Sequence, residues 1–210
     1  MTSGLWRIAH WKRIPIYAHW SVLIGLVWAY IKTGHWFSAV LMFVSFFALL
    51  AIHELGHAIA ARRRRTFVYE IRLYLMHGLC RFAFPYHEID HIIIAWGGVI
   101  AQGVVLLIAA LVGAVLWRFA PEAAIALWPV FYVLVWANMA MIVFNLLPVP
   151  PLDGHIAWRI LRPLWRGIAN RWRNGIASIR RARFVQRRRR EMKRDAENKV
   201  VDLMERMKKK

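Results

Sequence analysis

The chain has 210 residues and a formal net charge of +19, and 60% of it is hydrophobic, including 12 tryptophans. That apolar share exceeds what the core of a soluble domain of this size needs, so a membrane protein is indicated. Nucleic acid is not required to explain the charge: 19 of the 30 Lys and Arg lie between Arg159 and Lys210, leaving an apolar body followed by a basic tail.

Crossing a hydrocarbon core of about 30 Å takes roughly 20 helical residues. Four stretches come near that length, at about 16–31, 36–61, 91–117 and 123–147. The first is the weakest, being short and holding His19 near its start. Arg7, Lys12 and Arg13 precede it and no small-residue cleavage site follows, so it reads as a retained span. Between the second and third, Phe67, Tyr69, Ile71, Leu73 and Leu75 alternate with Val68, Glu70, Arg72, Tyr74 and Met76. A period near two describes either a surface strand or hairpin turning at His77 and Gly78, or an irregular amphipathic loop.

The expected fold class is thus an all-α membrane protein of about four transmembrane helices, with a small strand or loop insertion and a basic amphipathic C-terminal helical tail. A transmembrane unit over 1–158 and a tail over 159–210 are the expected domains. Lys and Arg number three before the first span and six over 62–90, whereas the opposite loops hold only Lys32 and Arg118. Cytoplasmic loops carry the excess, so both termini and the middle loop are expected to be cytoplasmic, as in a multi-pass bacterial inner-membrane protein. Trp6, Trp11, Trp20, Trp36, Trp117 and Trp128 fall near span ends, as an aromatic belt would.

Near the end of the second span stands His53-Glu54-Leu55-Gly56-His57. On a helix the i, i+4 spacing puts both imidazoles on one face, where they can share one zinc ion, and Glu54 can reach a metal-bound water as general base. Such polar residues cost several kcal/mol in a lipid-crossing helix unless they pair, bind metal or face a wet cavity, which makes an accidental match costly. The single cysteine, Cys80, leaves no Cys-x-x-Cys pair and reads as a small buried residue, so a third ligand must be a carboxylate or another His. Asp153 is the foremost candidate, with Glu70, Glu88 and Asp90 as rivals. It lies in Asn145-Leu-Leu-Pro148-Val-Pro150-Pro151-Leu152-Asp153-Gly154, after the fourth span and on the same side as His53 and His57. Pro148, Pro150 and Pro151 break the helix there, and Gly154 permits close passage of the backbone, leaving main-chain groups free for an unfolded substrate.

These two segments resemble those of the site-2 protease family of intramembrane zinc metalloproteases, over roughly residues 36–158. The resemblance implies one zinc per chain bound by His53, His57 and Asp153, with Glu54 as catalytic base, and a role for Asn145 in holding substrate or water. Pro148 and Gly154 complete the expected substrate-binding set. The family often has a Gly-Pro segment followed by Asn in its middle span; here the nearest stretch is Gly98-Val99-Ile100-Ala101-Gln102, without the Pro and with Gln for Asn. His155 stands where the family commonly has a second glycine. No PDZ or nucleotide-binding module is visible, so the expectation is a minimal version.

The implied function is endopeptidase cleavage of a transmembrane segment of a membrane protein or a signal-peptide remnant. A catalytically idle zinc-containing scaffold binding a partner's transmembrane helix is the alternative. Asn138 is expected to hydrogen-bond another helix, and His19 and His35 to sit at the interface. In the tail, Ile160, Leu161, Leu164, Trp165, Ile168 and Trp172 make one apolar face among arginines, fitting a helix on an anionic inner leaflet. Farther on, Met192, Ala196, Val200, Leu203 and Met207 recur at helical spacing, which suits surface association or a weak coiled coil. No nucleic-acid partner is expected, and a homo-oligomer is compatible with the sequence.

Overall fold

The computed structural model describes residues 4–161, together with 165, 171 and 172. Both expected tail helices therefore fall largely or wholly outside the described residues.

The chain opens with a β-hairpin, β1 (Leu5–Trp11) and β2 (Ile14–His19). Helices α1 (Val22–Thr33) and α2 (Trp36–Arg63) follow, joined at Gly34, whose φ of 70° closes α1 in the left-handed conformation that glycine adopts without cost. A second hairpin, β3 (Val68–Leu73) and β4 (Gly78–Phe82), leads to α3 (Glu88–Phe119). The last span is interrupted: α4 (Pro121–Ala126), α5 (Trp128–Phe131), a π-helical stretch (Tyr132–Ala137) and α6 (Asn138–Asn145). After the proline-rich turn, α7 (Gly154–Ala157) carries the chain on.

Among the described residues, three helical segments are long and apolar enough to cross a membrane: Trp36–Arg63, Glu88–Phe119 and Trp128–Asn145. The expected first span is corrected by the fold. Its beginning belongs to β2, and the helix that remains has 12 residues, about 18 Å, short of the hydrocarbon thickness. The N-terminal hairpin was also not expected. Its two-residue turn is Lys12-Arg13, both at positive φ (46° and 70°), the backbone of a type I′ turn without the Asn-Gly pair that usually announces one.

The two hairpins join into one four-stranded sheet, ordered β1-β2-β3-β4, in which β2 runs parallel to β3 with Ile16 opposite Ile71. The segment before α1 and the loop after α2 therefore lie at the same end of the helices. The strand alternation over 67–76 is real but broken by an irregularity between Val68 and Glu70, so the inward residues are Val68, Ile71 and Leu73 while Phe67 and Tyr69 face out. The buried face meets α2 and α3 through Ile14, Ile16, Leu50, Ala58, Ile71, Leu73 and Ile94. Burying a side chain such as Ile71 contributes about 2 kcal/mol. A second cluster (Ala29, Ala39, Met42, Leu49, Val133) joins α1 and α2 to the last span. Outward, α3 presents Leu107, Leu111 and Val115, all more than half exposed, the surface expected of a helix facing lipid.

Helices α2 and α3 cross with almost no side chain between them. A Cβ at Gly56 would run into the carbonyl oxygen of Gly97, and one at Gly97 into that of Gly56, with Ala60 and Ala101 alongside. Gly56-x-x-x-Ala60 and Gly97-x-x-x-Ala101 are the small-residue spacings that let membrane helices approach backbone to backbone.

Candidate metal centre

This close crossing is what brings three polar side chains together in an apolar bundle. His53 and His57 project from one face of α2, their rings 4.6 Å apart and nearly perpendicular. The opposing position on α3 is Gly98, where a Cβ would press into both imidazoles. The Nε2 atoms of His53 and His57 lie 3.1 Å apart, and each is 3.1 Å from Oδ2 of Asp153. Both histidines are buried, and the Asp153 side chain is 25% exposed, so the cluster opens toward the proline-rich turn.

Asp153 reaches the histidines because the turn folds back after α6. Gly154 makes this possible: a Cβ there would overlap the main-chain carbonyls of Leu146 and Leu147, so its close approach is to the turn itself. Two indoles tether the segment, Trp158 Nε1 donating to Leu146 O (2.6 Å) and Trp96 Nε1 on α3 donating to Ala157 O (3.1 Å).

The outer nitrogens fix the tautomers. His53 Nδ1 lies 3.0 Å from Gln102 Oε1, and His57 Nδ1 lies 2.7 Å from Ile94 O. A carbonyl oxygen only accepts, so in neutral rings the proton sits on Nδ1 and the lone pair on Nε2. The centre then consists of two imidazole lone pairs and a carboxylate oxygen at 3.1 Å spacing, a set of acceptors that a cation between them satisfies. Ligands about 2.0–2.1 Å from a tetrahedral zinc stand roughly 3.3 Å apart, so the residues fit the metal. Two His and one carboxylate are the donors of a catalytic zinc site, which keeps a further position for water or substrate.

Glu54 is buried next to this cluster and interacts electrostatically with His57, His53 and Asp153. Its carboxyl lies against β4: a Cβ at Gly78 would overlap it, and the Cys80 main-chain N–H is within hydrogen-bonding reach. The other acids considered from sequence are engaged elsewhere or exposed. Glu70 pairs with Arg72 (2.7 Å) and Arg81 (2.8 Å), Asp90 pairs with Arg64, and Glu88 is exposed at the start of α3. His155 is exposed and bonded to Arg159 (3.2 Å), away from the cluster, while His19 meets Ser21 (2.9 Å). Among the described residues, His53, His57 and Asp153 form the one group of three such side chains able to hold a metal ion.

Asn145 is half-buried at the end of α6 and Pro148 is exposed in the turn beyond it. Asn138 is fully buried and bridges helices as expected, its Nδ2 donating to Gln102 O on α3 (3.0 Å). Three features went unread in the sequence: Gly98, Gly78 and the orientation of Gln102. Each depends on which residue of a neighbouring element lies opposite.

Residues 101–181 match the model of peptidase family M50. Two curated proteins from Mycobacterium tuberculosis strains, each named as a candidate zinc metalloprotease Rip3, are 30% identical to the chain over 80% of it. The chain spans 45% of their length, so it matches less than half of these relatives. Among solved structures, the site-2 protease from Methanocaldococcus jannaschii superposes with a TM-score of 0.58 at 21% identity, covering 75% of this chain and 71% of that one. The class is thereby defined as a chain of membrane-length helices with a small sheet and a His53–His57–Asp153 cluster able to hold a metal ion. Its fold is similar to that of the site-2 protease, and residues 101–181 carry the likeness to peptidase family M50.

Proposed function

We propose that the chain is an intramembrane zinc endopeptidase that cleaves a membrane-embedded segment of another protein, in the manner of regulated intramembrane proteolysis or removal of signal-peptide remnants. The observation that carries this is the convergence of His53, His57 and Asp153 beside Glu54, where the turn after the last span meets a helix apolar enough to cross a membrane.

Zinc bound there would polarise the scissile carbonyl and lower the pKa of its water towards neutrality. His53, His57 and Asp153 would hold the ion. Glu54 takes a proton from the attacking water and returns it to the departing amine nitrogen, and its burial against β4 keeps bulk water from that transfer. A substrate helix has its main-chain groups paired internally, so it must unwind before its carbonyl can approach. Two features favour an extended segment: β4 is an edge strand of the sheet and passes Glu54, and the turn from Asn145 through Pro148 to Gly154 interrupts helical pairing next to Asp153.

The test uses purified protein with a single-span membrane substrate. Glu54→Gln should retain zinc and lose cleavage by at least about a thousandfold, the scale for removing a catalytic group. Zinc bound with no cleavage by the unsubstituted protein, but with retention of a partner's span, would favour the idle scaffold. We further propose that the basic tail associates with anionic inner-leaflet lipids. Its test is binding to vesicles with and without phosphatidylserine, before and after removal of residues 173–210.

A further inference from the structure

The two histidines are held from behind in different ways. His57 Nδ1 donates to a main-chain carbonyl, Ile94 O, which no substitution can alter, whereas His53 Nδ1 donates to a side chain, Gln102 Oε1. Gln102 is fully buried, eight residues along α3 from Ile94. Its own backbone is fixed from the opposite side, because Asn138 Nδ2 donates to Gln102 O at 3.0 Å and to Leu134 O at 3.2 Å. A chain of contacts therefore runs from the last span through Asn138 to Gln102 and on to His53. Among the described residues Gln102 Nε2 and Asn138 Oδ1 have no hydrogen-bond partner, so the position of each amide rests on the bonds just described.

From this geometry we infer that Gln102 is the positioning residue of the metal centre: its amide oxygen holds His53 in the Nδ1–H tautomer and aims Nε2 at the ion. It does not contact substrate in this role. The inference rests on the zinc-centre reading above and assigns the strength of one ligand to residue 102. An outer acceptor fixes ring orientation and raises the basicity of the ligating nitrogen, and losing one typically weakens metal binding about 10–100-fold. A carboxylate in the same place would be a stronger acceptor than an amide.

The experiment measures zinc affinity by competition with a calibrated chelator, on the purified full chain in detergent, for the unsubstituted protein, Gln102→Leu and Gln102→Glu. Leu keeps the volume and removes the acceptor; Glu keeps both the length and the acceptor. The expected result is a 10–100-fold loss for Gln102→Leu and affinity equal to or tighter than the original for Gln102→Glu. Unchanged affinity in Gln102→Leu overturns the inference, as does an equal loss in both variants, which would mean that residue 102 acts through packing. Should Gln102→Leu fail to fold, 15N-histidine NMR of the metal-free unsubstituted protein decides: His53 protonated at Nδ1 supports the assignment, and protonation at Nε2 refutes it. A failure of the unsubstituted protein to bind zinc would instead count against the metal centre itself.

Discussion

At the scale of single residues, the site depends on two groups that do no chemistry. Gly98 gives the imidazoles their room, and Gly98→Ala would drive a methyl group into both rings. The expected outcome is loss of bound zinc, read by elemental analysis, with helical content unchanged by circular dichroism; retained stoichiometric zinc would refute it. Cys80 behaves in the opposite sense. Burial is the largest influence on its thiol, aided by the nearby Glu54 and Asp153 charges, and pushes it from 9.0 up to about 12. The folded protein should thus resist iodoacetamide at pH 8 and react on denaturation, and mass spectrometry distinguishes the two. Because the thiol ionises at lower pH when unfolded, this contribution to stability is full below pH 9 and is lost as pH climbs towards 12. His53, Glu54 and His57 were legible because a helix turns their spacing into a shared face. Gly98, Gly78 and Gln102 were not, since their roles arise only when another element is laid against them.

Among elements, the helices α2 and α3 were visible because crossing a membrane demands long apolar runs, and the observed bounds differ from the expected ones by a few residues. The N-terminal hairpin was hidden for two reasons. Its turn uses Lys12 and Arg13 where type I′ geometry favours Asn-Gly, and the apolar residues of β2 merge with those of α1 into one run resembling a span. Replacing Lys12-Arg13 by Asn-Gly should relieve two left-handed residues and stabilise the protein by about 1 kcal/mol, visible as a higher melting temperature. A lower melting temperature would show that the cation–π contact of Lys12 with Trp11 matters more than the turn. On the last span, Asn138→Ala removes the bond to Gln102 O and should cost about 1 kcal/mol, by analogy with other interhelical bonds in membranes.

For the whole molecule, the parallel pairing of β2 with β3 ties the N-terminal segment and the 64–87 loop to one end of the bundle. From the positive charge at both we propose that this end is cytoplasmic. Single cysteines introduced in a Cys80→Ser background test it. Arg7→Cys and Arg65→Cys should be labelled by an impermeant reagent only from the cytoplasmic side, and Arg118→Cys only from the other. Labelling of positions 7 and 65 from opposite faces would be incompatible with the sheet. The sheet packs against the part of α2 that carries His53 to Ala61.

The same pairing constrains how the chain is made. Ile16 finds its partner only at Ile71, so β1 and β2 have no larger sheet to join until α1 and α2 have been made and the chain has returned to the same end of the bundle. Until then the β1–β2 ribbon has to wait at the membrane surface, and a two-stranded ribbon alone is marginal. The nascent protein thus acquires the floor beneath the Glu54 carboxylate before α3 arrives to seal the histidines. A polypeptide stalled before residue 68 would hold His53, Glu54 and His57 with neither that floor nor Asp153 beside them.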